Sequence, residues 1–311
     1  MKNNILIIGG KGYVGSKVSE ILSKKHDVDV LDLCWFDLPD QNTIVGDFVT
    51  LDKQFYLKYD SIILLAGHSS VKMCEGNLHY SYNNNVRNFI NLLSNLSSDQ
   101  KIIYASSSSV YGNAGENKVD ENYHDFVPHN HYDITKHVID IYAPKFDVQY
   151  YGLRFGTVNG FSTHMRKDVM INSMVYNALT DGEIKLYIKD IMRPILGIND
   201  LCGAIVCIIE TTEDKRGIYN LASFNKTAEQ IAYGVSSIVN VPVVEYKSDP
   251  FLIKNSKMET KSYNFSIDST KFCKNFNFEF KDTIESITKE ILENFNSIRF
   301  TDRANIKEYG S

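Results

Sequence analysis

The chain opens with the feature that restricts it most: Ile5-Leu6-Ile7-Ile8 runs straight into Gly9-Gly10-Lys11-Gly12-Tyr13-Val14-Gly15. An apolar run that short suits a buried parallel strand. Beyond the glycines, Val14, Val18, Ile21 and Leu22 recur at helical spacing, while Lys17, Glu20, Lys24 and Lys25 take the other face. Gly9, Gly12 and Gly15 therefore join a strand to a helix. Glycines in such a turn let the backbone bend sharply and approach a pyrophosphate. The helix N-terminus adds unpaired amides and a partial positive charge.

The alternation continues. Segments 28–33, 44–45, 62–65, 102–105 and 148–153 are further strand candidates with helical patterns between them. A repeat of this kind predicts the α/β class, with a doubly wound parallel sheet over residues 1–160. Residues 161–311 loosen into polar, Asn- and Lys-rich stretches that close with an amphipathic helix over about 281–295. They are expected to form mainly a second, smaller mixed α/β substrate domain, with some segments returning to the sheet.

Composition removes several classes. A net charge of -5, from 33 basic and 38 acidic residues, supplies no field for a nucleic-acid backbone, and no basic run suggests a membrane surface. The apolar runs fall short of the ~20 residues a membrane span needs. The first of them ends in glycines, too early for a signal peptide. Five scattered cysteines, without zinc or disulfide spacing, read as reduced thiols. A cytoplasmic protein is the expectation. His129 and His131 flank Asn130 but bring no cluster at ligand spacing, so no metal is expected.

Three further features carry chemistry. Asp32 closes the second strand candidate, near the ~20-residue offset at which a carboxylate meets the adenosine ribose hydroxyls. A carboxylate there repels a 2′-phosphate, and no arginine follows closely, which favours NAD over NADP. Tyr132 and Lys136 stand four residues apart, on one face of a helix. A free phenol ionises near ~10, so it needs a neighbouring cation to act as a base at neutral pH. Upstream, Ser106-Ser107-Ser108-Ser109 leaves the fifth strand, where a hydroxyl can bond a reacting sugar oxygen.

In these residues, and over nearly its whole length, the chain resembles the extended short-chain dehydrogenase/reductase family of nucleotide-sugar epimerases, dehydratases and reductases. The resemblance implies a Rossmann sheet, NAD as cofactor and a nucleotide-diphosphate sugar as substrate. It implies that Gly9, Gly12, Tyr13, Val14 and Gly15 hold the pyrophosphate and that Asp32 holds the ribose. Asp47 and Phe48 would meet the adenine, while Leu65, Ala66, Gly67 and Asn85 line the cofactor. Ser107, Tyr132 and Lys136 match the catalytic set. Arg193 matches the arginine that binds the diphosphate, whereas Thr157 stands where many members carry asparagine. Ser108, Ser109, Arg166 and Asn172 fall where substrate contacts are expected.

The family's hydride chemistry, commonly at C4 of the sugar, would here have Tyr132 as acid/base. Relatives that eliminate water carry an Asp-Glu pair right after the catalytic threonine. Ser108 and Ser109 occupy those positions, so oxidation or epimerisation without dehydration is expected. GDP-linked manno-sugars or heptoses and UDP-hexoses remain open as substrates. A 4-keto-sugar reductase is the alternative, as is a non-catalytic NAD-binding regulatory protein, against which the intact Ser107, Tyr132 and Lys136 argue. The resemblance also implies a homodimer through the helices carrying Asn85 and Tyr132.

Overall fold

The computed structural model describes residues 2–301 apart from positions 36, 38, 116, 126 and 248–262. Along the chain come β1 (Asn4–Ile8), α1 (Tyr13–Leu22), β2 (Asp27–Asp32), β3 (Thr43–Val45) and β4 (Ser61–Leu64). Next are α2 (Val71–Gly76), α3 (Leu78–Tyr82), a π turn (Asn83–Arg87), α4 (Asn88–Ser94) and β5 (Lys101–Ser107). Then follow α5 (His131–Tyr142), β6 (Gln149–Phe155), β7 (Thr157–Asn159), α6 (Met170–Asp181), β8 (Met192–Gly197) and α7 (Ile198–Glu210). The chain continues through β9 (Gly217–Leu221), β10 (Phe224–Thr227), α8 (Ala228–Val239) and α9 (Ile284–Asn294).

Seven strands form one sheet in the order β9-β6-β5-β4-β1-β2-β3, every neighbouring pair parallel. Side chains alternate across it, as the two-residue strand period requires. Ile5, Ile7, Ile63 and Ile103 pack on one face with Val18 and Leu22 of α1 and Leu201, Ile205 and Ile208 of α7. Leu6, Ile8, Ile62 and Ile102 pack on the other with Phe89, Leu92 and Leu93 of α4 and Ile139 of α5. Both faces are thus covered by helices, which is why the strands read as continuous apolar runs.

The strand order reverses between β1 and β4, and a doubly wound sheet opens its ligand crevice at that switch point. A second unit covers this edge. Three helices, α6, α8 and α9, share a core that includes Ile171, Val175, Ile231, Val235, Ile287 and Ile291. Beside them β10-β8-β7 make a small mixed sheet, antiparallel between β8 and β10 and parallel between β8 and β7. The segment from α7 to β9 returns to the large sheet, β9 pairing β6 from Gly217 to Leu221. Among the described residues no helix is long and apolar enough to cross a membrane.

Candidate active site

The glycine turn is built for close approach. Gly9 has φ +88°, and a Cβ there would lie 2.5 Å from the Ala66 amide nitrogen. At Gly15 a Cβ would stand 2.1 Å from the Gly9 carbonyl oxygen, so any side chain would push α1 off the turn. Gly12 is the N-cap of α1 and gives it no side-chain cap, leaving first-turn amides for a ligand. Gly9, Gly12, Tyr13, Val14 and Gly15 all line a cavity of about 740 Å³ at the switch point. This cradle fits the pyrophosphate of NAD.

At one end of the cavity the Asp32 carboxylate is held by the Lys11 amide at 2.9 Å and the Cys34 amide at 2.8 Å. Its position ties the glycine turn to the end of β2. Asp47 and Phe48 lie in the same wall, Asp47 accepting from the Val49 amide at 3.2 Å. Leu65, Ala66 and Gly67 form the opposite lip at the end of β4.

At the other end β5 delivers Ser107 and α5 delivers Tyr132 and Lys136, and all three line the cavity. Lys136 Nζ donates to the Ala105 carbonyl oxygen at 2.7 Å and sits 5.8 Å from the centre of the Tyr132 ring. Burial pushes the Tyr132 phenol up to about 12, while its hydrogen bond with Ser107 pulls it back. Burial also lowers the Lys136 ammonium to about 8. The protein alone therefore keeps the proton on Tyr132, and each added positive charge brings phenolate closer.

Ser108, Ser109, Thr157, Arg166 and Arg193 line the cavity as well. Arg166 is braced by Asp168 through Nε at 2.8 Å and Nη2 at 2.7 Å, and Arg193 donates to the Tyr263 carbonyl oxygen. Two of the expected contact residues stand back from the cavity lining. Asn172, expected at the substrate, is fully buried behind the wall. Its Oδ1 accepts from the Gly160 amide, and its Nδ2 donates to the Tyr13 hydroxyl and the Arg166 carbonyl oxygen. Asn85, expected at the cofactor, lies one layer back in the π turn. It clamps His68 by accepting from its amide at 2.8 Å and donating to its carbonyl at 2.9 Å. That clamp needs Gly67 bare, since a Cβ there would come 2.9 Å from Asn85 Oδ1.

Asp133 and Tyr263 carry no local signal in the sequence. Asp133 is fully buried, and burial pushes its carboxyl up to about 6. Tyr263 lines the cavity and donates its hydroxyl to Asp133 Oδ2 at 2.7 Å.

Comparisons with known proteins bear on the family and the fold. Residues 5–222 match the model of the NAD dependent epimerase/dehydratase family. The chain is 26% identical over 274 residues to the ADP-L-glycero-D-manno-heptose-6-epimerase of Brachyspira hyodysenteriae, covering 79% of this chain and 84% of that one. It is 25% identical over 257 residues to the UDP-glucose 4-epimerase of Lactobacillus helveticus, with 70% and 76% covered. Among solved structures it is similar in fold to a UDP-N-acetylglucosamine 4-epimerase from Methanobrevibacter ruminantium M1 in complex with UDP-N-acetylmuramic acid. That match has a TM-score of 0.82 at 20% identity and covers 96% of this chain and 99% of that one. A UDP-glucuronic acid 4-epimerase from Bacillus cereus, in complex with UDP-glucuronic acid and NAD, matches with a TM-score of 0.79 at 19% identity over 94% and 99%.

Proposed function

The chain belongs to the NAD-dependent epimerase/dehydratase family of nucleotide-sugar enzymes, and from that premise we propose that it epimerises a nucleotide-diphosphate sugar without eliminating water. One observation carries the reading. Ser107, Tyr132 and Lys136 meet in the cavity, while the carboxylates that line it, Asp32 and Asp47, belong to the wall nearest the glycine turn. Elimination across two carbons needs an acid and a base of its own, and the positions after Ser107 hold only hydroxyls, Ser108 and Ser109.

NAD, when bound, supplies the acceptor and donor of a hydride. The chain's residues do the rest. Ser107 bonds the reacting sugar oxygen, Lys136 holds positive charge beside the Tyr132 ring, and Tyr132 takes the hydroxyl proton as the carbon is oxidised, commonly C4. Returning that proton after the keto sugar has turned completes an inversion. Arg166 and Arg193 bring guanidinium groups to the same cavity, positive charge that suits a diphosphate.

The test is a panel of UDP-glucose, UDP-N-acetylglucosamine, UDP-glucuronic acid and GDP- and ADP-linked heptoses, with products read by mass and NMR. Unchanged mass with one inverted carbon is the expected result. Loss of one water would sink the reading, and loss of two hydrogens would make the protein a dehydrogenase. A homodimer goes with this proposal, supported by exposed Leu78, Tyr82, Ile134, Ile141 and Tyr142 on the helices around Asn85 and Tyr132. The free cysteines suit a cytoplasmic setting. Light scattering giving a strict monomer would remove the dimer, and cell fractionation reads the compartment.

A further inference from the structure

The glycine turn carries a charge that NAD has no use for. Lys11 lies between Gly9 and Gly12, which line the cavity, and its amide donates at 2.9 Å to Asp32 Oδ2. Asp32 lines the same end, and its other oxygen accepts from the Cys34 amide at 2.8 Å. An ammonium on a flexible four-carbon stem thus belongs to the residue that bonds the carboxylate facing the adenosine ribose. NAD and NADP differ there by one phosphate, on the ribose 2′ oxygen. Asp32 repels that phosphate, whereas a lysine in this turn would draw it in.

The structure cancels the second effect. Lys11 Nζ donates to Asp40 Oδ2 at 2.7 Å, and the lysine side chain is only 10% exposed. Although Gly9 and Gly12 on either side line the cavity, Lys11 stands back from the lining. Asp40 is held ready for it by a turn ahead of β3. Its Oδ1 accepts from the Thr43 hydroxyl at 2.6 Å and from the Asn42 amide at 3.2 Å, which leaves Oδ2 for the lysine. Arg299, another cation on the loop after β2, is answered by Asp37 at 2.8 Å. His164 lies 3.4 Å from Asp37, and burial lowers its imidazolium below the usual range, so it brings no charge at neutral pH.

We propose that Asp40 is a cofactor-specificity residue: by holding the Lys11 ammonium away from the ribose, it leaves a 2′-phosphate facing carboxylate alone and so keeps NADP out. As a fold element the pair is weak, since the Asp40 side chain is 61% exposed and an exposed ion pair adds little. Its effect falls on the charge that a phosphate would meet. With Lys11 held, the phosphate meets the repulsion of Asp32. With Lys11 released, it gains a charge-assisted partner on the far side of the same ribose. The rival account is that Asp40 acts only through its own negative charge, with no part for the lysine.

Calorimetry with NAD and with NADP separates the two accounts. Asp40→Asn keeps an oxygen for Thr43 and Asn42 and leaves Lys11 without its carboxylate. NADP should bind this variant about tenfold more tightly than it binds the wild type, the scale of one hydrogen bond between charged groups. NAD should stay within about twofold, because it has no phosphate at that position. Asp40→Ser removes the same charge by another route and should show the same gain. In the double variant Lys11→Met, Asp40→Asn the gain should vanish.

A gain that survives without Lys11 overturns the proposal, because Asp40 would then be acting by its own charge. An NADP affinity unchanged in both Asp40→Asn and Asp40→Ser overturns it as well. The inference rests on Asp32 meeting the ribose, and Asp32→Asn should accordingly weaken NAD binding by about tenfold. NAD binding unchanged in that variant would overturn the proposal at its premise. None of these measurements uses a sugar, so they stand apart from the outcome of the nucleotide-sugar panel.

Discussion

Tyr132→Phe should cost turnover about 10²–10⁴-fold, the range expected when a positioned acid/base is removed, while the protein folds and binds NAD as before. The ring keeps its place on α5 with Lys136 Nζ 5.8 Å from its centre, and the atom removed is the phenol oxygen, whose ionisation Ser107 eases. The cradle for the pyrophosphate lies at the glycine turn, on a different element. Calorimetric NAD binding should therefore stay within about twofold of the wild type, well under the tenfold that ~1.4 kcal/mol represents. The kinetic measurement uses whichever nucleotide sugar the panel turns over. A rate within tenfold of the wild type would take Tyr132 out of the mechanism.

The second large effect concerns stability. Arg154 of β6 donates through Nε to Asp140 of α5 at 2.8 Å and through Nη1 to the Tyr111 hydroxyl at 2.8 Å. The Asp140 carboxylate also accepts from Ser106 Oγ at 3.0 Å and from Tyr104 Oη at 3.2 Å, and both charged side chains are nearly sealed from solvent. Removing one partner strands the other charge in an apolar layer. Arg154→Met should thus destabilise the fold by about 3–5 kcal/mol, read by urea unfolding. A loss below ~1 kcal/mol would mean that water reaches Asp140 and that the pair is not a buried one. The double variant Arg154→Met, Asp140→Leu should recover most of the loss, since it leaves no lone charge.

Much of this was legible in the sequence. The glycine turn, the strands of the large sheet up to β6 and the start of α1 near Tyr13 follow from short apolar runs and helical spacing, because a sheet covered on both faces leaves a continuous apolar trace. Tyr132 and Lys136 were found through their four-residue spacing. Asp133 was hidden by the same rule. One residue along a helix turns by roughly 100°, so it points away from the site that its neighbour identifies, and nothing local tells a buried carboxylate from a solvated one. Tyr263 reaches the cavity through tertiary packing alone.

Asn85 and Asn172 show the opposite limit. A helix asparagine reads the same whether it meets a ligand or holds the backbone that meets it, and in both cases the structure shows backbone duty. Several strands of the second half were also beyond reach. Arg299–Thr301 pairs with His164–Arg166 over three residues, too short a stretch to show a period.

The return of α7 and β9 to the large sheet means that the cofactor half is not one contiguous stretch of chain. A fragment ending near residue 160 would lack the strand that covers the edge of β6 and the helix that covers Leu201, Ile205 and Ile208's share of one sheet face. It would present an open edge and a bare apolar layer, the combination from which chains aggregate. The polypeptide instead crosses between its two units more than once. Neither can come apart without pulling on the other, and a dinucleotide that binds only the folded form steadies both. Saturation at the glycine turn thereby becomes a stability reserve for the second unit as well.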